Sequence, residues 1–347
     1  MDYYAYALAH CEEIVAHRRY LHANAEVGLH LPKALAYVAE TLRTCGIEPQ
    51  PCGHGLCAVI GSGAPCILLR ADMDALPMAE ESGLPFACKS ENAAHTCGHD
   101  LHTAMLLFAA RMLKESEQTL RGTVKLMFQP AEETFEGAAD MIRSGILEAP
   151  APQCALAFHV SAGHMPLGIY MYNAGGTMMS SVDVFRITVR GKGAHGAYPH
   201  TAVDPIHIAA QLCSALSGLI ARESDPAKSC VLTIGSFRAG SAEVCFLSGV
   251  PPLICDPQLT ESMAGFIGGM GIPNAAPYTG ISANASEDFA AVAERVPSAF
   301  FYLSAGFPDE RGDAAAHNPC VQFNEDVLPI GAACYAHCAA RWLEANA

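Results

Sequence analysis

CILLRADMD, at residues 66–74, joins a short apolar run to two carboxylates, Asp72 and Asp74, at the point where a buried strand is expected to end. Apolar runs of this length, separated by helical stretches, are typical of buried strands. We predict strands at 57–60, 66–70, 123–129, 154–160 and 298–304. We predict helices at 3–22, 33–45, 100–115, 136–146, 286–294 and 327–344. This alternation indicates an α/β fold in three layers, with a mainly parallel sheet covered by helices on both faces.

The middle of the chain has a different pattern. Residues 180–190 alternate in polarity, and Asp204 followed by Pro205 is a typical helix start, which predicts a helix over 204–221. Further strands are predicted at 229–237 and 242–248, and hinges at 173–176 and 250–252. We therefore predict a small α+β lid, residues 179–249, inserted between the two parts of a catalytic domain, residues 1–178 and 250–347.

The composition excludes several classes of protein. The chain has 347 residues, 51% of them hydrophobic, and a net charge of −15 at pH 7. A nucleic acid or an anionic membrane would need a basic face, so neither is expected as a partner. The 15 cysteines are odd in number and irregularly spaced, which favours free thiols in a reducing compartment. Since the sequence shows neither a secretion signal nor a long apolar span, we expect a cytoplasmic protein.

Groups that can bind a metal follow each central strand of the predicted sheet. Carboxyl ends of parallel strands meet at one edge, so we expect these groups to converge there. They are Asp72, Asp74, Glu132, Glu133, His159 and His317, and the segment before the helix at 100–115 adds Cys97 and His99. A lone histidine at a strand end is more often a hydrogen-bonded core residue, and a pair of glutamates is usually solvated. The convergence of all these groups nevertheless favours a metal site.

The residue types indicate the chemistry. Histidine, thiolate and carboxylate together suit zinc, or manganese, cobalt or nickel where carboxylates and water open the site. Glu132 and Glu133 are adjacent and cannot both point the same way from an extended chain. One can therefore bind a metal while the other takes a proton from a water molecule whose pKa the metal lowers to about 7. This arrangement predicts metal-assisted hydrolysis of an amide.

Seven motifs, in order along the chain, carry a family resemblance. They are LLRADMDALPM (68–78), HTCGHDLHTAML (95–106), FQPAEETFEGA (128–138), FHV (158–160), GKGAHGAYPH (191–200), ASEDF (285–289) and AHNPCVQFNED (316–326). This sequence resembles the dinuclear metallo-amidohydrolases related to aminoacylase, hippurate hydrolase and the indole-acetyl-amino-acid hydrolases. The motifs span nearly the whole chain and are specific for the family, but much less so for the substrate.

The resemblance implies a set of roles in a site with two divalent metal ions. The implied metal ligands are Cys97, His99, Glu133, His159 and His317, with Cys97 bridging the two ions. Glu132 matches the general base, and Asp74 matches an acid that supports the ligands without joining them. Asp72 stands where more distant relatives have a ligand histidine, so its role is open. The implied substrate is a small N-acyl amino acid or a related peptide-like molecule.

His195 is the implied contribution of the lid. In the family this histidine stabilises the oxyanion, in some relatives from across a dimer, and the resemblance therefore also implies a homodimer through the lid. Without the resemblance, the Gly-rich surroundings of His195 favour an ordinary turn residue.

The lid departs from the family pattern. After GSFRAG (235–240) the chain passes directly to SAEVCFLSGVPPL (241–253), so this ferredoxin-like lid is truncated. The missing parts normally help to bind the substrate's carboxylate, for which Arg190 and Arg238 are candidate replacements. Two alternatives to an active amidohydrolase therefore stay open. One is a metal-binding but catalytically impaired relative that serves as a binding or interaction protein. The other is a di-metal phosphoesterase, which the acidic charge disfavours.

Overall fold

The computed structural model describes residues 1–225, 230–236 and 244–347. The strands are β1 (Gln50–Cys52), β2 (Gly55–Gly61), β3 (Cys66–Asp72), β4 (Thr123–Gln129), β5 (Cys154–Ser161), β6 (Ile169–Tyr172), β7 (Thr177–Met179), β8 (Val182–Ile187), β9 (Val244–Val250), β10 (Leu253–Ile254), β11 (Ala276–Thr279) and β12 (Ser298–Ser304). The helices are α1 (Tyr3–Ala9), α2 (Cys11–Ala23), α3 (Pro32–Thr44), α4 (His99–Glu115), α5 (Gly137–Arg143), α6 (Pro205–Glu223), α7 (Pro257–Gly268), α8 (Ala290–Ala293) and α9 (Val327–Asn346).

The main sheet has eight strands in the order β1-β2-β4-β3-β5-β12-β6-β11. Its centre, β4-β3-β5-β12, is parallel throughout, while β1, β2 and β6 join antiparallel neighbours. This confirms the predicted α/β class with a mainly parallel sheet. Because the central strands run the same way, Asp72, Gln129, Ser161 and Ser304 end them at a common edge.

Both faces of the sheet are covered, which explains why its central strands are apolar without alternation. On β3, Ile67 and Leu69 belong to one core, with α4 and α9, whereas Leu68 belongs to the opposite core, with α5 and α8. All seven residues of β3 are buried. In the part of the chain described, none of the helices is long and apolar enough to span a lipid bilayer.

Two predicted helices differ from the structure. The helix predicted at 3–22 is divided at His10, which lies between the end of α1 and the start of α2. His10 Nδ1 forms a hydrogen bond with the backbone oxygen of Tyr6 at this point. The helix predicted at 286–294 is reduced to α8. Glu287 and Asp288 precede α8, and their side chains are ion-paired with Arg70.

The predicted lid contains β8, β9 and α6. β8 pairs antiparallel with β9, and α6 begins as predicted, with the Asp204 carboxylate accepting the backbone N–H groups of Ile206 and His207. None of the residues of α6 is buried. Residues 230–236 form no strand, so the prediction at 229–237 is wrong there; residues 229 and 237 lie outside the described residues.

The ends of the predicted lid lie side by side. β7 pairs antiparallel with β10, which places Met179 opposite Leu253. This pairing brings together the two predicted junctions between the lid and the catalytic domain, near residues 179 and 250. An inserted domain requires its two ends to lie close together in this way. The division into residues 1–178, 179–249 and 250–347 stays a prediction.

Candidate metal centre

A tight turn in front of α4 carries Cys97 and His99. Gly98 between them has a φ of +96°, in the left-handed region that favours glycine. A Cβ atom at Gly98 would contact Cγ2 of Val160 on β5. The turn therefore packs directly against the strand that carries His159, and this packing requires glycine at residue 98.

The structure brings all five predicted ligands together. The ligand atoms of Cys97, His99 and His159 lie within 4.8 Å of one another, and so do those of Cys97, Glu133 and His317. Cys97 Sγ is 3.4 Å from His159 Nε2 and 3.3 Å from His317 Nε2. The two groups share Cys97, which is the geometry expected of a bridging thiolate between two ions.

The histidine rings are oriented by backbone carbonyls. His99 Nδ1 donates to the backbone oxygen of Asp74 at 2.9 Å, and His159 Nδ1 donates to that of Val160 at 2.6 Å. A carbonyl can only accept, so Nδ1 carries a proton in each ring and Nε2 is the nitrogen available as a metal ligand. Such a contact fixes the tautomer and the direction of a ligating histidine.

Unpartnered polar atoms show that these residues fit a cation. His99 Nε2 and Glu133 Oε1 are buried without a hydrogen bond, and His317 Nε2 lies 3.4 Å from Glu133 Oε1. A buried polar atom with no partner costs about 1–3 kcal/mol. His99 Nε2 is 3.8 Å from Glu133 Oε1. Divalent cations among these atoms would satisfy the lone pairs of nitrogen and oxygen at once.

Asp74 holds the glutamates from behind. Its Oδ1 accepts the backbone N–H of Glu132 at 3.0 Å, and its Oδ2 accepts that of Glu133 at 3.2 Å. The turn that carries the glutamates begins at Ala131, a non-glycine residue with a φ of +54°. Asp74 therefore fixes a strained backbone, and its Oδ1 also lies 3.5 Å from His99 Nδ1.

Asp72 and His102 form a second support. His102 Nδ1 donates to Asp72 Oδ1 at 2.6 Å, and His102 Nε2 accepts the backbone N–H of Val160 at 2.8 Å. Arg70 is ion-paired with Asp72 Oδ2 at 2.7 Å. Burial lowers the pKa of His102, so its neutral ring serves as donor on one side and acceptor on the other. No role is predicted for His102 from the sequence, although it lies one helical turn after His99.

Glu132 is held in an acidic environment. Its Oε1 accepts the backbone N–H of Asp288 at 3.4 Å, and its Oε2 is 4.0 Å from His99 Nε2. Burial, and then Glu287 and Asp288, raise the pKa of Glu132 well above its usual range. A raised pKa suits a carboxylate that accepts and returns a proton.

Arg70 balances these acids. It contacts Glu287 at 2.8 Å and Asp288 at 3.1 Å, and Gln129 Nε2 donates to Asp288 Oδ1 at 2.7 Å. Both acids belong to the ASEDF motif (285–289), but the sequence alone assigns them no role. Only the fold shows that they approach Glu132 from a distant part of the chain.

One side of the centre is open. The His317 side chain is 52% exposed, and its backbone has a φ of +66°. Its N–H donates to the backbone oxygen of Thr96, which ties this loop to the turn before α4. Burial raises the pKa of Cys97 to about 12, while the neighbouring His99 lowers it. A substrate can therefore approach from the His317 side, while the thiol lies deeper.

Among the residues that the structure describes, His195 makes no contact with this centre. His195 is exposed, accepts the backbone N–H of Ala197 through Nδ1 and packs beside Tyr198. Arg190 is exposed as well, and Arg238 lies outside the described residues. The oxyanion role of His195 stays a prediction.

Comparison with known proteins places this geometry in a family. The protein-family model described as peptidase family M20/M25/M40 matches residues 68–341 of this sequence. The chain belongs to this family. Membership makes it a hydrolase of amide bonds and confirms the resemblance drawn from the sequence motifs.

Curated relatives cover most of the chain. The N-acetyl-L-cysteine deacetylase of Bacillus subtilis is 32% identical, over 91% of this chain and 85% of its own. An IAA-amino acid hydrolase of Arabidopsis thaliana is 32% identical, over 95% and 85%. The hippurate hydrolase of Campylobacter jejuni is 40% identical, over 65% of this chain and 59% of its own.

Solved structures share the fold over nearly the whole chain. A structure from methicillin-resistant Staphylococcus aureus is 28% identical with a TM-score of 0.83, covering 99% of each chain. The YXEP protein of Bacillus subtilis, described as a dinuclear metal binding peptidase from the M20 family, is 23% identical with a TM-score of 0.75, covering 97% of this chain and 99% of its own.

Proposed function

We propose that this hydrolase cleaves the amide bond of N-acyl amino acids with two divalent metal ions as cofactors. The ions would be held by Cys97, His99, Glu133, His159 and His317. The observation that carries the proposal is the pair of ligand groups that share Cys97. The donor set suits zinc, manganese, cobalt or nickel. The names of the curated relatives support the substrate class, since the deacetylase, the hippurate hydrolase and the IAA-amino acid hydrolase are all named for such amides.

The ions and the protein divide the chemistry. When bound, divalent ions polarise the amide carbonyl and lower the pKa of the attacking water. Glu132 takes the proton of that water as its oxygen attacks the carbonyl carbon. Glu132 then gives the same proton to the amide nitrogen as the carbon–nitrogen bond breaks, which releases a carboxylic acid and an amino acid. Its anchored Oε1 and free Oε2 suit this transfer, because one oxygen keeps the carboxylate in place.

The other residues hold this arrangement. Asp74 fixes the backbone of the glutamate turn, and carbonyls hold the rings of His99 and His159. We further propose that His195 stabilises the oxyanion, and that Arg190 or Arg238 binds the substrate's carboxylate. The exposed side of His317 leaves the substrate a route to the ions.

Glu132→Gln is the decisive variant. It keeps the size and the hydrogen bond from Asp288 but removes the proton acceptor. We expect turnover of acetyl-, benzoyl- and indole-acetyl-amino acids to fall by about 10²–10⁴-fold, with metal binding unchanged. Glu136→Gln is the matched control, because Glu136 is an exposed glutamate of the same turn and its loss should leave activity intact.

Three outcomes would contradict the proposal. Full activity in Glu132→Gln would remove Glu132 as the base. Bound metal with no turnover of any acyl-amino acid in the wild type would favour the impaired relative. Hydrolysis of phosphate esters alone would favour the phosphoesterase.

A further inference from the structure

A buried charge cluster lies behind the metal centre, on the side of α2. Arg18 Nε donates to Asp100 Oδ2 at 2.8 Å, and Arg18 Nη1 donates to Glu325 Oε1 at 3.0 Å. His22, one turn further along α2, contacts Asp100 Oδ2 at 2.8 Å and Glu80 Oε1 at 2.9 Å. The side chains of Arg18 and His22 are 1% and 4% exposed. Two residues of one helix thus hold three carboxylates from three distant segments.

One of these carboxylates, that of Asp100, belongs to the segment that carries the proposed ligands Cys97 and His99. Asp100 directly follows His99 in the first turn of α4, and it is buried. Its carboxylate is fixed by both Arg18 and His22. The position of Cys97 and His99 relative to α2 is therefore set by charged contacts as well as by apolar packing.

The other two carboxylates reach the segment that carries His317. Glu80 adjoins Glu81, whose backbone N–H donates to the backbone oxygen of Pro319 at 2.9 Å. Gln322 Nε2 donates to the backbone oxygen of Ser82 at 2.8 Å. Glu325 closes the same segment from the far end, before α9 begins.

We propose that Arg18 and His22 are positioning residues that fix the Cys97–His99 turn against the His317 segment and thereby set the affinity for metal. This inference rests on the ligand set proposed above. These ligands come from segments more than 200 residues apart, and their atoms must lie within a few ångströms of one another. Arg18 is suited to this task because its planar guanidinium donates to both segments at once.

The charge state of His22 supports this role. Burial alone would lower the pKa of His22, but Asp100 and Glu80 raise it to about 9. His22 is therefore a cation near neutral pH, and both of its contacts are charge-assisted. Such hydrogen bonds are shorter and stronger than neutral ones.

The test measures metal affinity, not turnover. Metal-free protein would be titrated with Co²⁺, followed by calorimetry and by the visible absorption of thiolate-bound cobalt. We expect Arg18→Met to weaken Co²⁺ binding by about 10-fold or more and His22→Gln to weaken it by several-fold, as is typical when a partner of a ligand is lost. Arg18→Lys, which keeps the charge, should restore part of the affinity.

Arg111→Met is the matched control. Arg111 lies on α4 and also joins this helix to α2, because it pairs with Glu13. It lies about 16 Å beyond Asp100 along α4, at a rise of 1.5 Å per residue. If the contacts between α2 and α4 only held the two helices together, Arg18→Met and Arg111→Met would change the affinity for Co²⁺ to the same extent. We expect Arg111→Met to bind Co²⁺ within twofold of the wild type.

The result that overturns the proposal is a folded Arg18→Met protein that binds Co²⁺ as tightly as Arg111→Met. If Arg18→Met does not fold, Glu325→Gln replaces it, because it removes the charge that Arg18 Nη1 contacts and the Glu325 side chain is 21% exposed. Unchanged Co²⁺ affinity in Glu325→Gln would then overturn the proposal. Wild-type protein that binds no Co²⁺ would overturn both this inference and the proposed ligand set. If the wild type binds Co²⁺ and the variants bind it with the same affinity, only the positioning role of Arg18 and His22 is overturned.

Discussion

At the scale of single residues, the centre depends on side chains that do not themselves face the ions. Asp74 is the strongest case, because one carboxylate accepts the backbone N–H groups of both glutamates. A positioning residue of this kind is typically worth 10–100-fold in metal affinity.

We expect Asp74→Ala to lower Co²⁺ affinity by about 10–100-fold, since Glu132 and Glu133 lose their common anchor. Titration of metal-free protein would measure this. Asp313→Ala is the control, because Asp313 is an exposed acid that pairs with His164 at the surface. Equal affinities in the two variants would contradict the anchoring role.

His22 gives a pH dependence. Its pKa is raised to about 9 in the folded protein, against about 6.5 in an unfolded chain. The folded state binds this proton more tightly, so the contribution is complete below pH 6.5 and is lost as the pH rises through 9. We expect His22→Gln to lower the free energy of unfolding more at pH 6 than at pH 9.5, by about 1–3 kcal/mol.

Urea denaturation of metal-free protein at the two pH values would measure that difference. The wild type would be compared with His22→Gln at each pH, so that other titrating groups cancel. A loss of equal size at both pH values would show that His22 is not held as a cation.

At the scale of elements, the turn before α4 is the critical joint. Gly98 combines a φ of +96° with a close approach to Val160, whereas Gly28 has a similar φ of +77° with no atom within 4 Å of an added Cβ. The comparison separates backbone strain from steric contact. Strain alone costs about 1–2 kcal/mol for a residue with a side chain.

We expect Gly28→Ala to cost about 1–2 kcal/mol of unfolding free energy and Gly98→Ala to cost more. Gly98→Ala should in addition weaken Co²⁺ binding, because Cys97 and His99 must move with the turn. Urea denaturation and Co²⁺ titration would measure the two effects. Identical behaviour of the two variants would show that the contact with Val160 is unimportant.

The central elements could be predicted from the sequence because they are buried on both faces. β3, β5 and β12 are continuous apolar runs with polar residues towards their ends, and the run of β4 is interrupted by the buried Lys125. The short strands β6 and β11 were not predicted, since pairing with neighbours, and not an apolar pattern, makes them strands. The helix predicted at 286–294 is longer than α8, and the pairing of Glu287 and Asp288 with Arg70, which lies far away in sequence, has no local sequence signal.

The ligands could be predicted because strand ends and family motifs both mark them. Their supports could not, because His102, Asp288 and Arg18 act through partners that are distant in sequence. Only the fold shows that the Asp100 carboxylate meets α2, or that Asp288 meets Glu132.

At the scale of the whole molecule, the metal centre couples binding to stability. Buried acids surround the ligands, and Arg70 faces Asp72, Glu287 and Asp288 together. Ions that bind only the folded state stabilise it by about 2.7 kcal/mol at a concentration 100 times the Kd.

We expect added Co²⁺ to raise the unfolding temperature of metal-free protein and a chelator to reverse the effect. The Cys97→Ser variant should respond much less, because it lacks the thiol shared by both groups. Calorimetry would measure the transition, with Cys230→Ser as control because Cys230 is an exposed cysteine. An unfolding temperature that does not change when Co²⁺ is added would contradict a metal centre in the folded protein.

The position of β12 also governs how the protein can be made. β12 lies between β5 and β6, yet it is the last strand of the main sheet to be synthesised. A nascent chain that ends before Ser298 leaves the edge of β5 open, and such an edge readily pairs with other chains. The ribosome must therefore deliver nearly the entire polypeptide before the sheet can close, and a product truncated after residue 250 should aggregate rather than persist as a smaller enzyme.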